Sequence, residues 1–83
     1  MDYSYYPAID LVATGRKIRE YREKRKIKVV DLKKYFNLTS CRVIYRWQNG
    51  ECLPSLEKMY ALSRLFDEPM ENIIVEYDRK QKK

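Results

Sequence analysis

The chain has 83 residues, of which 36% are charged and 45% are hydrophobic, and its net charge is +6. A chain of this length forms one domain with a single core. No apolar stretch reaches the roughly 18 residues of a membrane-spanning helix, and the first residues lack the layout of a secretory signal. These features predict one domain in the cytoplasm, with no membrane partner.

Two cysteines, Cys41 and Cys52, and the lack of histidine limit the chemistry of the chain. A four-ligand zinc site needs more such side chains, and the sequence has neither a Ser-His-Asp set nor a glycine-rich phosphate loop. We therefore expect no enzyme activity, no metal and no cofactor. Because no export signal is present, the two thiols are expected to be reduced; a disulfide and a redox-sensing role stay open.

Charge is distributed unevenly along the chain. Residues 14–50 hold twelve Lys/Arg against three acids, a net charge of +9, whereas residues 51–78 hold two against seven, a net charge of −5. A basic half beside an acidic half is typical of a domain with one face on a polyanion. This pattern favours a nucleic-acid partner over ordinary surface charge.

The first two predicted helices cover residues 10–25 and 29–36, after an N-terminal arm at residues 1–9. Asp10 is a suitable N-cap for the first helix, which has an apolar face and an opposite face covered by arginines. Asn37 tolerates the left-handed conformation that commonly ends a helix, so it is expected to end the second one.

The third predicted helix covers residues 40–48, SCRVIYRWQ, and the Thr-Ser pair at residues 39–40 is expected to supply its N-cap. Ile44 and Trp47 lie three residues apart and are expected to face the core. Gly50 is expected to end the helix because glycine adopts positive φ without strain.

Two further helices complete the predicted domain. The fourth, SLEKMYALSRLF, begins at residues 54–55, and the fifth, PMENIIVEY, begins at Pro69. The fourth helix has a broad apolar face that we expect to be buried, made of Leu56, Met59, Tyr60, Leu62, Ser63 and Phe66. The pattern predicts an all-α fold, a compact bundle of five short helices over residues 10–76, with a basic, disordered tail at residues 77–83.

Helices 29–36 and 40–48 have the lengths and the short turn of a helix-turn-helix. A helix roughly 10–12 Å across fits a DNA major groove about 12 Å wide, so the second helix of such a pair can reach base edges. The pair therefore predicts a DNA-binding element.

Residues 14–76 also contain five segments in a characteristic order: TGRKIREYREKRKI, VVDLKKYFNL, IYRWQNG, LPSLEKMYALSRLF and PMENIIV. Their order and spacing resemble those of the XRE-type regulators, the family of Cro and the phage repressors. The resemblance implies a lambda-repressor-like fold, a homodimer, and sequence-specific binding of double-stranded DNA by helix 40–48. It also implies a bacterial or mobile-element transcriptional regulator, for which repression is favoured over activation.

Three departures from that family concern the helix-turn-helix. The interval from Leu38 to Ile44 is six residues, one more than in the commonest family pattern, which indicates a subgroup with a longer turn. Val29 stands where many members have a glutamine that anchors the domain to phosphate. Gln48 stands where many have a glutamate, and it is expected to accept a hydrogen bond from Arg22 of the first helix.

Five residues are candidate base contacts, namely Ser40, Cys41, Arg42, Tyr45 and Arg46. Arg42 and Arg46 share one helix face, and an arginine fork can bind O6 and N7 of guanine. Either arginine could instead clamp a phosphate or be solvated. Ser40 could serve only as a cap, and Tyr45 could pack in the core against a neighbouring residue.

Five further residues are candidate phosphate contacts, namely Lys28, Lys33, Lys34, Asn49 and Gly50. In the resembled family, the positions of Asn49 and Gly50 contact phosphate through side chain and backbone. The lysines precede or lie on the second helix, where they could add electrostatic attraction or be solvated.

The fifth helix has more apolar surface than a terminal helix can bury alone. The candidate dimer-interface residues are therefore Ile73, Ile74 and Val75, a region that often builds a two-fold dimer in the resembled family. The N-terminal tyrosines Tyr3, Tyr5 and Tyr6 are expected to pack on the domain or on its dimer partner, although contact with DNA and disorder are alternatives.

Two other functions stay open. One is an antitoxin-like module whose main partner is a protein, and a hydrophobic groove beside the fifth helix would favour it. The other is an adaptor that keeps the fold without binding DNA, against which the charge pattern and the arginines of helix 40–48 argue. DNA affinity that does not fall with salt would contradict DNA binding, because phosphate contacts release counterions.

Overall fold

A computed structural model of the protein describes residues 7–77, which form five helices. In chain order these are α1 (Leu11–Lys24), α2 (Val29–Tyr35), α3 (Arg42–Gln48), α4 (Leu56–Phe66) and α5 (Met70–Ile73). β-type pairing within residues 7–77 is limited to one isolated antiparallel bridge, between Ile9 and Glu76. The predicted all-α bundle of five short helices is confirmed.

The helices begin and end at residues whose side chains or backbone conformations favour a helix boundary. The Asp10 side chain accepts a hydrogen bond at 3.0 Å from an amide in the first turn of α1, as predicted. Asn37, with a φ of 55°, and Gly50, with a φ of 77°, are left-handed after α2 and α3, which confirms both predicted helix ends. Lys26 and Asp67 adopt the same conformation after α1 and α4.

Every helix contributes to one buried apolar core. Its members are Ile18, Leu32, Ile44, Trp47, Met59, Leu62, Phe66 and Ile73. Burial of a side chain of this kind stabilises a fold by about 1.5–3 kcal/mol. Ile44 and Trp47 pack α3 against the rest of the domain, as their spacing predicted. The opposite face of α3 is exposed to solvent.

Helices α1 and α3 approach each other closely at Gly15. A Cβ atom at this position would overlap the Trp47 carbonyl oxygen, so the close approach depends on a residue without a side chain. Further along α1, the largely buried Arg22 donates from Nε to Gln48 Oε1 at 2.9 Å and from Nη1 to the Ile27 carbonyl oxygen at 2.8 Å. The predicted Arg22–Gln48 hydrogen bond is confirmed.

The buried face of α4 is narrower than the sequence predicted. Leu56 is 77% exposed and Tyr60 is 54% exposed, because one lies at the first residue of the helix and the other one turn later on the same outer stripe. The remaining members of the predicted face, Met59, Leu62, Ser63 and Phe66, are buried.

The last helix is shorter than the predicted PMENIIVEY segment. α5 ends at Ile73, and Ile74 already has extended backbone angles. The Asp10 amide donates to the Val75 carbonyl oxygen at 2.7 Å, so hydrogen bonds with a distant segment replace those that a longer helix would have made. β-branched side chains also favour extended backbone.

The two ends of the described chain are therefore tied together. The Tyr77 amide donates to the Ala8 carbonyl oxygen at 2.9 Å, and the Val75 amide donates to the Thr14 hydroxyl at 2.9 Å. Thr14 has no exposed surface, so water cannot reach this position. The Thr14 hydroxyl therefore supplies the acceptor that the Val75 amide needs.

Some predictions concern residues outside the described range. Tyr3, Tyr5 and Tyr6 of the arm and residues 78–83 of the basic tail lie beyond residues 7–77. Within the described range, no helix combines the length and the apolar character needed to cross a membrane.

Candidate nucleic-acid interface

The outward face of α3 carries the candidate base contacts that lie within the helix. Arg42, Tyr45 and Arg46 are exposed, whereas Ile44 is buried and Trp47 is 2% exposed. Tyr45 is 50% exposed, so the alternative in which its ring packs into the core is wrong. One side of the helix is therefore apolar and buried, and the other side presents two guanidinium groups and a phenol to solvent.

The start of α3 differs from the predicted boundary at residue 40. The helix begins at Arg42, and the Cys41 carbonyl oxygen accepts its first backbone hydrogen bonds, from Ile44 and Tyr45. The Ser40 hydroxyl accepts a hydrogen bond from the Arg42 amide at 3.3 Å. The N-cap residue is Cys41, without a side-chain cap hydrogen bond, so the predicted N-cap at residues 39–40 is wrong; the exposed Ser40 side chain supports only the turn before the helix.

The two arginines of the outer face have different surroundings. Within residues 7–77 the Arg42 side chain has no hydrogen bond or ion pair, so its guanidinium is available to a partner. The Arg46 Nε lies 3.5 Å from Glu51 Oε1 in an exposed ion pair. The sequence prediction missed this neighbour, although a glycine after a helix signals a turn that returns the chain towards the last helical turn.

The turn after α3 is made by backbone hydrogen bonds. The Gly50 amide donates to the Trp47 carbonyl oxygen at 3.1 Å, and the Glu51 amide donates to the Arg46 carbonyl oxygen at 2.9 Å. A Cβ on Gly50 would lie 2.7 Å from Val12 Cα. Gly50 is therefore a turn residue packed against α1, and its amide is already donated, which argues against the predicted phosphate contact through this group.

The other candidate phosphate contacts have side chains that are exposed or half-buried at the surface of the domain. Lys28 and Lys34 are exposed, Lys33 is half-buried, and Asn49 is exposed at the end of α3. Lys28 is also the N-cap residue of α2, where its amide donates to Asp31 Oδ2 at 2.9 Å. The positive side chains thus lie on and before α2.

The predicted dimer residues do not form one exposed surface. Ile73 is completely buried in the core of the single chain, so it offers no surface to a partner, and the expectation for this residue is corrected. Ile74 and Val75 are half-buried. Ile74 shares an apolar groove with Pro7, Ile9 and Met70.

The described residues hold no arrangement suited to a metal ion. No group of three or more His, Cys, Asp or Glu side chains is brought together within residues 7–77. Cys41 and Cys52 are both half-buried free thiols.

Two solved structures share the fold. The crystal structure of the DNA-binding domain of BldD has a TM-score of 0.64 and 13% sequence identity, over 89% of this chain and 99% of that one. The structure of the S. venezulae BldD DNA-binding domain has a TM-score of 0.64 and 12% identity, over 78% of this chain and 96% of that one. No protein-family model and no curated protein matches the sequence. At these identities the likeness shows a common helix-turn-helix fold.

Proposed function

We propose that the protein is a transcriptional regulator that binds double-stranded DNA through the outward face of α3. The observation that carries the proposal is the division of α3 into a buried edge, with Ile44 and Trp47, and an exposed edge, with Arg42 and Arg46. Its support from known structures is the fold shared with the BldD DNA-binding domains.

The basic half of the chain supplies the attraction to DNA. Lys28, Lys33 and Lys34 contact phosphates and set the position of α3, without reading sequence. Asn49 adds a phosphate contact from the end of α3, where its exposed amide can donate.

The two arginines read base edges in the major groove. Arg42 and Arg46 are four residues apart, or about 6 Å along the helix axis, which corresponds to about two base-pair steps. Each guanidinium can present two parallel donors to O6 and N7 of a guanine. Tyr45 lies between them and offers its hydroxyl to a phosphate or its ring to a thymine methyl group.

The wider assignment follows the family that the sequence resembles. The protein acts in the bacterial cytoplasm as an XRE-type homodimer, which addresses two half-sites about one helical turn apart. Bound over a promoter, such a dimer most simply excludes polymerase, so the regulator represses transcription.

Selection of bound sequences from random double-stranded DNA tests the proposal most directly. We expect an enriched sequence with two symmetric half-sites and at least one guanine in each. A mobility-shift titration of the selected site should give affinity that falls steeply with salt, because phosphate contacts release counterions. An unenriched pool, together with salt-independent binding, would refute the proposed function.

Arg42→Ala tests direct readout. Because its side chain has no other partner within residues 7–77, its loss should relax preference at one base pair and cost about 1–3 kcal/mol there. Affinities for all single-base variants of the selected site measure this effect. Arg19→Ala, which removes an equal charge from an exposed pair on α1, is the control. Equal weakening at every sequence would make Arg42 a phosphate clamp.

A protein-binding module is the alternative, and the exposed stripe on α4 favours it. Leu56 and Tyr60 lie one turn apart and are both largely exposed, in the half of the chain that carries excess acid. Such a surface suits a small basic protein, with DNA binding secondary. Stable co-purification of a basic protein that Leu56→Asp abolishes, without any change in DNA affinity, would support this alternative.

A further inference from the structure

The turn after α3 fixes Glu51 beside Arg46. Gly50 has a φ of 77°, and the amides of Gly50 and Glu51 donate back to the carbonyl oxygens of Trp47 and Arg46. These two hydrogen bonds form the motif in which the second residue after the C-cap (Asn49) returns over the last helical turn. The position of the Glu51 backbone is therefore set by main-chain geometry, and its side chain begins next to Arg46.

The carboxylate approaches one particular edge of the guanidinium. Glu51 Oε1 lies 3.5 Å from Arg46 Nε, the nitrogen nearest the side-chain stem. Within residues 7–77 neither terminal nitrogen of Arg46 has another partner, so both keep their donors. An arginine held at Nε can still present two terminal donors to guanine O6 and N7.

Stability does not account for this arrangement. The two side chains are 52% and 55% exposed, and ion pairs at such exposure contribute little to folding. In a DNA complex, Glu51 would also lie near the phosphate contact of Asn49 and would repel the backbone. A carboxylate at this position would lower affinity for every sequence, whereas its contact with Nε would favour one orientation of the Arg46 guanidinium.

We infer that Glu51 is a positioning residue that orients Arg46 for base readout. It lowers the affinity for DNA of any sequence and raises the discrimination between sequences. This inference rests on the proposed function of α3. It assigns the role to a residue just outside the reading helix, in the acidic half of the chain, where the charge pattern alone indicates no part in DNA binding.

Glu51→Gln tests the inference, because it removes the charge and keeps the length of the side chain. Affinity for unrelated DNA should rise, and discrimination at the base pair read by Arg46 should fall by about 2- to 5-fold, the range expected for an exposed ion pair. Discrimination at the base pair read by Arg42 should stay the same. The affinities are measured against every single-base variant of the selected site.

An Arg46→Ala background separates orientation from repulsion. There, Glu51→Gln should still raise affinity for all DNA, but it should no longer change discrimination at any base pair. Glu20→Gln, which removes an equal charge from an exposed position on α1, should leave the discrimination pattern unaltered. Thermal unfolding of each variant checks that the domain remains folded.

The outcomes distinguish the two proposals. If wild-type protein selects a sequence but Glu51→Gln changes affinity equally at all base pairs, Glu51 acts only by repulsion and the inference is wrong, while the proposed function stands. A loss of discrimination in Glu51→Gln that persists unchanged in the Arg46→Ala background also overturns it. If wild-type protein selects no sequence, both proposals fail together.

Discussion

Arg22 shows how one side chain can organise a loop and a helix interface. Its guanidinium is almost completely buried and donates to Gln48 of α3 and to the Ile27 carbonyl oxygen between α1 and α2. The partner in α3 is a neutral amide, so the interface satisfies the arginine without burying a second charge. The resemblance to XRE-type regulators predicted this bond correctly, although the amide replaces the usual carboxylate.

Removal of either partner should destabilise the domain. Arg22→Ala should lower the free energy of unfolding by about 2–3 kcal/mol, and Gln48→Ala by about 1–2 kcal/mol, because buried partners are left unsatisfied. The double variant should lose less than the sum, since the two residues interact directly. Urea denaturation measures all three.

Arg16→Ala, at an exposed position on α1, is the matched control for this cycle. It should change the free energy of unfolding by less than about 0.5 kcal/mol. Additive losses for Arg22→Ala and Gln48→Ala would contradict the direct coupling.

At the scale of elements, the close approach of α1 and α3 at Gly15 sets how α3 is presented. The two helices meet where a side chain would overlap the Trp47 carbonyl oxygen. That oxygen accepts the Gly50 hydrogen bond in the turn after α3, so a shift in the interface also reaches the turn beside Arg46.

Gly15→Ala should therefore destabilise the domain, although alanine is the better helix former by about 1 kcal/mol. The overlap involves backbone rather than a flexible side chain, so overpacking should dominate and give a net loss of about 1–3 kcal/mol. Urea denaturation measures the loss, and Arg16→Ala, at an exposed neighbouring position on α1, should change stability by less than about 0.5 kcal/mol. An unchanged or higher stability of Gly15→Ala would show that the helices can separate at little cost.

Local chemistry explains which elements the sequence could predict. Asp10, Asn37 and Gly50 end or begin helices by properties that act within a few residues, and all three were predicted. The end of α5 was not, because the extended backbone after Ile73 is stabilised by hydrogen bonds to Asp10 and Thr14, both more than sixty residues earlier in the chain. No local pattern contains that information.

In the candidate site, too, the features set by local helical spacing were predicted, and those set by the geometry of the turn were not. Burial of Trp47 and exposure of Arg46 follow from helical spacing. The ion pair of Arg46 with Glu51 depends on the geometry of the turn, and the availability of the Gly50 amide depends on its use inside that turn. Exposure of Leu56 was missed because an apolar residue at the first helical position satisfies the periodicity without reaching the core.

At the scale of the whole molecule, charge separates the two halves of the chain. The basic half contains α1, α2 and α3, whereas α4 and α5 belong to the acidic half. On the proposed function, a domain with this distribution would be oriented by the field of DNA before any contact forms. The acidic half would also disfavour binding in the wrong orientation, because it repels phosphate.

Substitution of single lysines should change the salt dependence of DNA binding. Lys28→Ala and Lys34→Ala should each weaken binding about equally at all sequences and reduce the slope of log affinity against log salt by about 1. Arg64→Ala removes the same charge from α4 in the acidic half and should leave the slope unchanged. A mobility shift at several salt concentrations measures the slopes, and an equal reduction by Arg64→Ala would contradict a defined DNA-facing side.

The pairing of Ala8 with Tyr77 has a consequence for the engineering of this domain. Paired antiparallel residues have Cα atoms about 4.5–5.5 Å apart, so the backbone enters and leaves the bundle at one corner. The domain can therefore be inserted as a cassette into a surface loop of a host protein without forcing the loop apart. By the same geometry, a short peptide can join the two ends.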